Sequence, residues 1–272
     1  MSWLSSGFAA GLSAMCALAI SVAVCENSAL AGDMTAFDVT GQLHRAAPGV
    51  RPDLMRRDLE RLDLSELNFK KAQLNGANLF GADLSGADLS GVDLSGAKLD
   101  RVTVVGARFD GANLDDASLL RPSAFTTLQA FAIEAPSFRA STLRRIRMFG
   151  RFSRSDFSGA DLTGATCAPF GKTGFIEEIW RSEFSGANLS DATLTGADFT
   201  HALLTFANLK NAVLRNINLK DADLSGADLT GADLTGANVV GADFSGAILR
   251  DVIGFDQVIG WELARNAEKI IR

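Results

Sequence analysis

His44 and His201 are the only histidines in the 272-residue chain, and Cys16, Cys25 and Cys167 are its only cysteines. Nucleophilic catalysis of the Ser-His-Asp kind needs an imidazole held beside a hydroxyl and a carboxylate. His44 falls in an apparent linker and His201 at an outward position of a repeat, so neither predicts a triad. No HExxH, CxxC, Walker loop or GxSxG pattern occurs. Carboxylates are abundant, but over long stretches they recur one per five residues. Their closeness follows from that spacing and is no sign of a general acid–base pair. The remaining charged feature is Arg144, Arg145, Arg147, Arg151 and Arg154. Such a cluster suits phosphate, lipid headgroups or another acidic polymer, and equally suits a solvated face. An enzyme is therefore not expected, and neither a cofactor nor a metal is implied.

The elements that must position these residues are visible as a period. A large apolar residue recurs at every fifth position from Leu64 through Phe69, Leu74 and onward to Leu119, and again from Phe184 to Leu249. Two places before each stands a small or modest apolar residue, such as Ala77, Ala82, Ala87 and Val92. A period of five fits neither the 3.6 of an α-helix nor the 2.0 of a regular strand. The two apolar positions share a face, as alternate residues do in extended chain. The other three must turn a corner, where Gly76, Gly81 and Gly86 supply conformational latitude.

The units ANLFG, ADLSG, ADLSG and VDLSG at 77–96 resemble the pentapeptide-repeat family, whose unit is A-(D/N)-L-x-x. That resemblance implies an all-β fold, a right-handed quadrilateral β-helix with four units per coil. Residues twenty apart then become cross-strand neighbours, so that Leu74, Leu94 and Leu114 form one interior column and Phe69, Leu89 and Phe109 another. Open ends need caps. Short helical caps are expected at 51–62, with Met55, Leu59 and Leu62 on one face, and at 250–272, with Trp261, Ala264 and Ile271. Between them lie repeat runs at 63–121 and 184–249, and residues 32–50 read as a linker.

Residues 122–183 break the rule. A frame persists at Phe138, Leu143 and Met148, slips by one, and resumes at Phe152, Phe157, Leu162 and Cys167. Cys167 thus holds an apolar position, which predicts a buried structural thiol. Residues 168–181 fit no unit and are expected to loop out. Phe175, Ile176, Ile179 and Trp180 make that loop more apolar than a solvated connection needs, as a partner-binding loop or as a lid tucked against the coil. Its deletion is expected to leave the coil folded and abolish partner capture. Charge reverses here as well: 122–181 holds eight basic and five acidic residues, against three basic and eight acidic in 182–249. In the second run Asp223 and Asp243 stack a coil apart, and with Asp228 and Asp233 they form a candidate acidic face.

The first 25 residues carry no charged side chain, and Ala29-Leu30-Ala31 supplies a small-residue cleavage site. Residues 1–31 therefore read as a secretory signal peptide, or alternatively as an uncleaved anchor giving membrane association. Export predicts a periplasmic or secreted location. With one cysteine left after cleavage, stability must come from packing and hydrogen bonding rather than a disulfide. The expected function is a non-catalytic scaffold that binds a protein or an anionic polymer, without direct nucleic-acid binding. Two alternatives are an exported effector and a DNA-mimicking inhibitor of a type II topoisomerase. The family resemblance implies the second, which requires a cytoplasmic location. It also implies that the ends can pair two copies into a homodimer.

Overall fold

The computed structural model describes residues 34–127, 131–169 and 181–271. From Asp53 onward the chain winds as a four-sided solenoid whose coils pair in parallel, one residue per side. One side stacks Asp53, Gln73, Asp93, Asn113, Thr142, Asp161, Thr193, Val213, Asp233 and Ile253, which makes ten coils. Sides A to D are named here for the positions of Asp53, Asp58, Asp63 and Asn68, in chain order.

The local physics of one unit explains its residue types. Around Asp93, the Asp93 N–H donates to the Ala72 carbonyl of the preceding coil, and the Asp93 carbonyl accepts from Leu74 N–H at 2.7 Å. The flanking residues Val92 and Leu94 point inward and are buried. The chain then turns, as at Leu74–Ala77, where Ala77 N–H donates to the Leu74 carbonyl and Gly76 takes φ 69°. A positive φ at the third residue is the mark of a type II turn and favours Gly or Asn. The Asp or Asn before each Leu has a structural task. Asp93 Oδ1 accepts the Ser95 N–H at 3.0 Å, and Asn78 Nδ2 donates to Asp58 Oδ1 of the previous coil at 2.9 Å. Repeat carboxylates thus satisfy corner amides, as Asx turns do.

The interruption does not break the solenoid. Phe138, Leu143, Met148, Phe152, Phe157, Leu162 and Cys167 are all fully buried in the single core cluster. Ser118–Leu120 pairs in parallel with Arg147–Phe149, the one place among the described residues where a ladder lengthens into two three-residue strands. Three changes of register occur. Ser123 and Ser137 are 14 residues apart where a unit spans five, so nine residues are inserted between sides C and D. Arg147 and Arg151 are one residue short of a unit. Thr166 and Glu183 are separated by 17, an insertion of twelve between sides B and C. Gly150 lets the short side pass: a Cβ there would meet Pro122 Cδ at 2.8 Å.

Phenylalanines fill the disturbed coils. Phe138 stacks between Phe109 and Phe157 at 4.9 and 4.8 Å, and Phe152 stacks on Phe184 at 5.4 Å. Such ring pairs add to area burial. These flat side chains are fully buried and keep the interior of the disturbed coils close-packed.

Both ends differ from the expected helical caps. Residues 51–62 are solenoid, not helix: Asp53 and Asp58 bridge to Gln73 and Asn78, and Leu54 and Leu59 join the core. The frame of five therefore begins two units earlier than Leu64, and Met55 is exposed. The helix is α1, Ala36–Arg45, inside the expected linker. Thr35 and Asp38 form a reciprocal capping box at its start, and Val39 and Leu43 plug the first coil. At the other end the expected helix is absent, and residues 250–271 form a tenth coil. Its bridging residues Ile253, Ile259, Arg265 and Ile271 fall six apart, joined by single 3-10 turns at Phe255–Gln257, Trp261–Leu263 and Ala267–Lys269. Gly254, Gly260 and Asn266, at positive φ, replace the inward Leu. Phe255 and Trp261 close the end of the core instead, with Trp261 5.0 Å from Phe244 and 4.6 Å from Phe255. No described helix is long and apolar enough to cross a membrane.

A groove at the interrupted corner

The five arginines lie close in sequence but not on one surface. Arg144 and Arg145 stand at the corner after side A, Arg147 on side B, Arg151 on side C, and Arg154 at the corner between C and D. Most are already engaged. Arg144 makes two bonds to Asp115 Oδ2, at 2.8 and 2.5 Å, and Arg145 reaches Asp116 at 2.6 Å. Burial pushes the Asp115 carboxyl up, but the bonds from Arg144 outweigh it and hold it below the usual carboxylate range. Arg151 pairs with Glu183 at 3.2 Å and lies 5.4 Å over the Phe125 ring. Arg154 has no ion-pair partner among the described residues.

The expected acidic face is likewise dispersed. Asp223 and Asp243 bridge each other on side C, whereas Asp228 is on side D and Asp233 on side A. Asp228 pairs with Lys210 at 3.1 Å, Asp233 is nearly buried against Arg215 at 2.5 Å, and Asp243 accepts from Asn266 Nδ2 at 2.9 Å. These carboxylates serve the scaffold rather than presenting a continuous negative surface.

His201 occupies a corner at φ 60° and is half-buried. Cys167 is fully buried, and burial together with Asp198 pushes its thiol well up, so it is not a reactive nucleophile. Among the described residues no group of His, Cys, Asp and Glu is arranged to hold a metal. Phe175, Ile176, Ile179 and Trp180 lie outside the described residues.

What the interruption does build is a groove of about 890 Å³ at the corner between sides C and D. Register orders its lining. Ser153, Ser185 and Thr205 follow the inward Phe152, Phe184 and Leu204 on three successive coils, and Thr205 Oγ1 donates to Ser185 Oγ at 2.7 Å. The next positions on the same coils are Arg154, Gly186 and Phe206. Gly186 leaves a notch in which the Arg154 stem lies, its Cγ 3.6 Å from where a Cβ would stand. Phe206 holds φ 56° and is 75% exposed, its ring folded over Gly226 of the following coil. The nine-residue insertion supplies Phe131 and Ala132 on the remaining side. Residue-type reasoning singled out Arg151 and Arg154 but missed Phe131 and Phe206. The available signal was Phe206 itself, the one large apolar side chain among the described residues at a positive-φ corner that otherwise takes Gly, a polar residue or, at Ala140, a methyl group.

Ten stacked coils with corner turns and no helical layer define a β-solenoid with a quadrilateral section. Residues 77–116, 182–221 and 212–251 match the model of the family "Pentapeptide repeats", in eight copies. The chain belongs to the pentapeptide-repeat family, and its fold is a right-handed quadrilateral β-helix. Similar solved structures include HetL, a pentapeptide repeat protein involved in heterocyst differentiation regulation from the cyanobacterium Nostoc sp. strain PCC 7120. It is 21% identical, with 88% of this chain and 100% of that chain covered and a TM-score of 0.37. A trypsin-treated form of QnrB1, a plasmid-mediated fluoroquinolone resistance protein, is 16% identical over 70% of this chain and 88% of its own, with a TM-score of 0.45. A thylakoid-lumen pentapeptide repeat protein from Arabidopsis thaliana is 30% identical over 42% of this chain and 66% of its own, with a TM-score of 0.14. No curated protein matches the chain.

Proposed function

We propose that this protein is an exported, non-catalytic scaffold that binds another macromolecule through the interrupted middle of its solenoid. The observation that carries this reading is the groove, where an insertion lays Phe131 beside Arg154 and the exposed Phe206 on an otherwise regular ladder. Loops held by a rigid scaffold are where recognition concentrates. Export is supported by the uncharged apolar stretch before Glu26 and the Ala29-Leu30-Ala31 site. The dispersed and paired aspartates weigh against a DNA-like surface.

The test joins location to binding. Native protein from a periplasmic or culture fraction should have an intact mass beginning at Gly32. Replacing 124–136 with a four-residue corner restores the five-residue register between Ser123 and Ser137. That variant should keep the circular dichroism of the solenoid and lose capture of the partner that the full chain retains. Full-length protein confined to the cytoplasm overturns export, and unchanged capture overturns the assignment to the interruption.

A further inference from the structure

Resting on that reading, the groove also specifies the chemistry of its partner. We propose that it takes an acidic peptide segment of another protein, with an aromatic or aliphatic side chain next to a carboxylate. Arg154 projects an exposed guanidinium that no described carboxylate neutralises, while Arg151, deeper in the same lining, is already balanced by Glu183. Among the described residues the groove therefore has one cation to offer, and an arginine fork matches a carboxylate in geometry as well as charge. Phe206 and Phe131 are 75% and 49% exposed, an apolar surface that a bound side chain would remove from water. Ser153, Ser185 and Thr205 line the floor with hydroxyls that can donate to or accept from a peptide backbone.

A lone phosphate would use Arg154 and leave the rings exposed, and a purely apolar segment would leave the guanidinium unanswered. An acidic-apolar segment satisfies both. It also complements the reversed charge of 122–181 within an otherwise acidic chain.

The probe is a dye-labelled Glu-Phe-Glu-Leu-Glu peptide, titrated by fluorescence anisotropy against the full chain, with Lys-Phe-Lys-Leu-Lys as its charge-reversed counterpart. Arg154→Glu should weaken binding of the acidic peptide roughly tenfold and favour the basic one, since a close charge pair becomes a repulsive one. Phe206→Asn should weaken it roughly fivefold. Glu66 and Asn211 hold the same corner conformation elsewhere, so both variants are compatible with the backbone. Equal binding of the two peptides, or affinity unchanged in both variants, overturns the proposal. Binding that emerges only after excision of 170–180 assigns the groove to that segment and overturns it too. If Arg154→Glu and Phe206→Asn still capture the natural partner while the corner replacement does not, the groove chemistry fails and the broader reading stands.

Discussion

Phe138→Ala should lower the stability of the solenoid by about 3–5 kcal/mol, the range for truncating a buried aromatic side chain without collapse of the site. Collapse is hindered here because Phe138 lies between Phe109 and Phe157, with Phe152 edge-on at 6.5 Å, and each partner is fixed to its own coil by backbone bonds. In a repeat array stability is nearly a sum over neighbouring interfaces, so the damage is concentrated between the third and fifth coils. Guanidinium unfolding followed by far-ultraviolet circular dichroism should show a lower midpoint and a split transition, the two flanking runs losing cooperativity with each other. A loss below about 1 kcal/mol with a single transition would mean that the stacked rings do not couple the runs.

Trp261→Ala should cost about 2–3 kcal/mol, felt locally, because the half-buried indole covers Phe244 at the tenth coil. Hydrogen exchange should accelerate for amides of 233–271 while those of 73–120 keep their protection, as expected when coupling is to nearest neighbours. Ile259, 57% exposed on the same coil, provides the contrast, and Ile259→Thr should change exchange little. Uniform acceleration along the chain after Trp261→Ala would show that the ring is not a local cap.

The same physics decides how much of this was legible in the sequence. The strict period marks which Leu and Ala side chains turn inward, and the family resemblance, with its four units per coil, implies the interior column through Leu74, Leu94 and Leu114. The frame also survives the slip near Gly150, since an inward Phe announces itself by type. The ends were less legible because two periods compete there. Met55, Leu59 and Leu62 make a helical stripe, yet Leu54, Leu59 and Leu64 continue the frame of five and win by burying themselves. Near the C-terminus Val252, Val258, Ala264 and Ile270 repeat every six, a period that emerges only once Gly254, Gly260 and Asn266 are seen to turn the corners. The cap helix was missed because its capping box pairs Thr35 with Asp38 rather than Glu and because Gly41 interrupts it.

The site was harder to read for a geometric reason. Residues five apart stand a quarter turn apart on the solenoid, so closeness along the chain puts side chains on different faces. Arg144 and Arg154 therefore separate, as do Asp223, Asp228 and Asp233, whereas Arg154 and Phe206 meet from 52 residues away. Only the two insertions, by resetting the register, determine which corner residues share a groove.

The most direct measurement is site-specific photo-crosslinking in cells producing the full chain, with the reactive group placed at Phe206 or at Asn216. Both residues are exposed and have similar positive φ, 56° and 54°, at diagonally opposite corners. The interaction account predicts a discrete adduct with one other protein from position 206 and none from position 216. Matching adducts from both positions, or adducts from 216 alone, would contradict it.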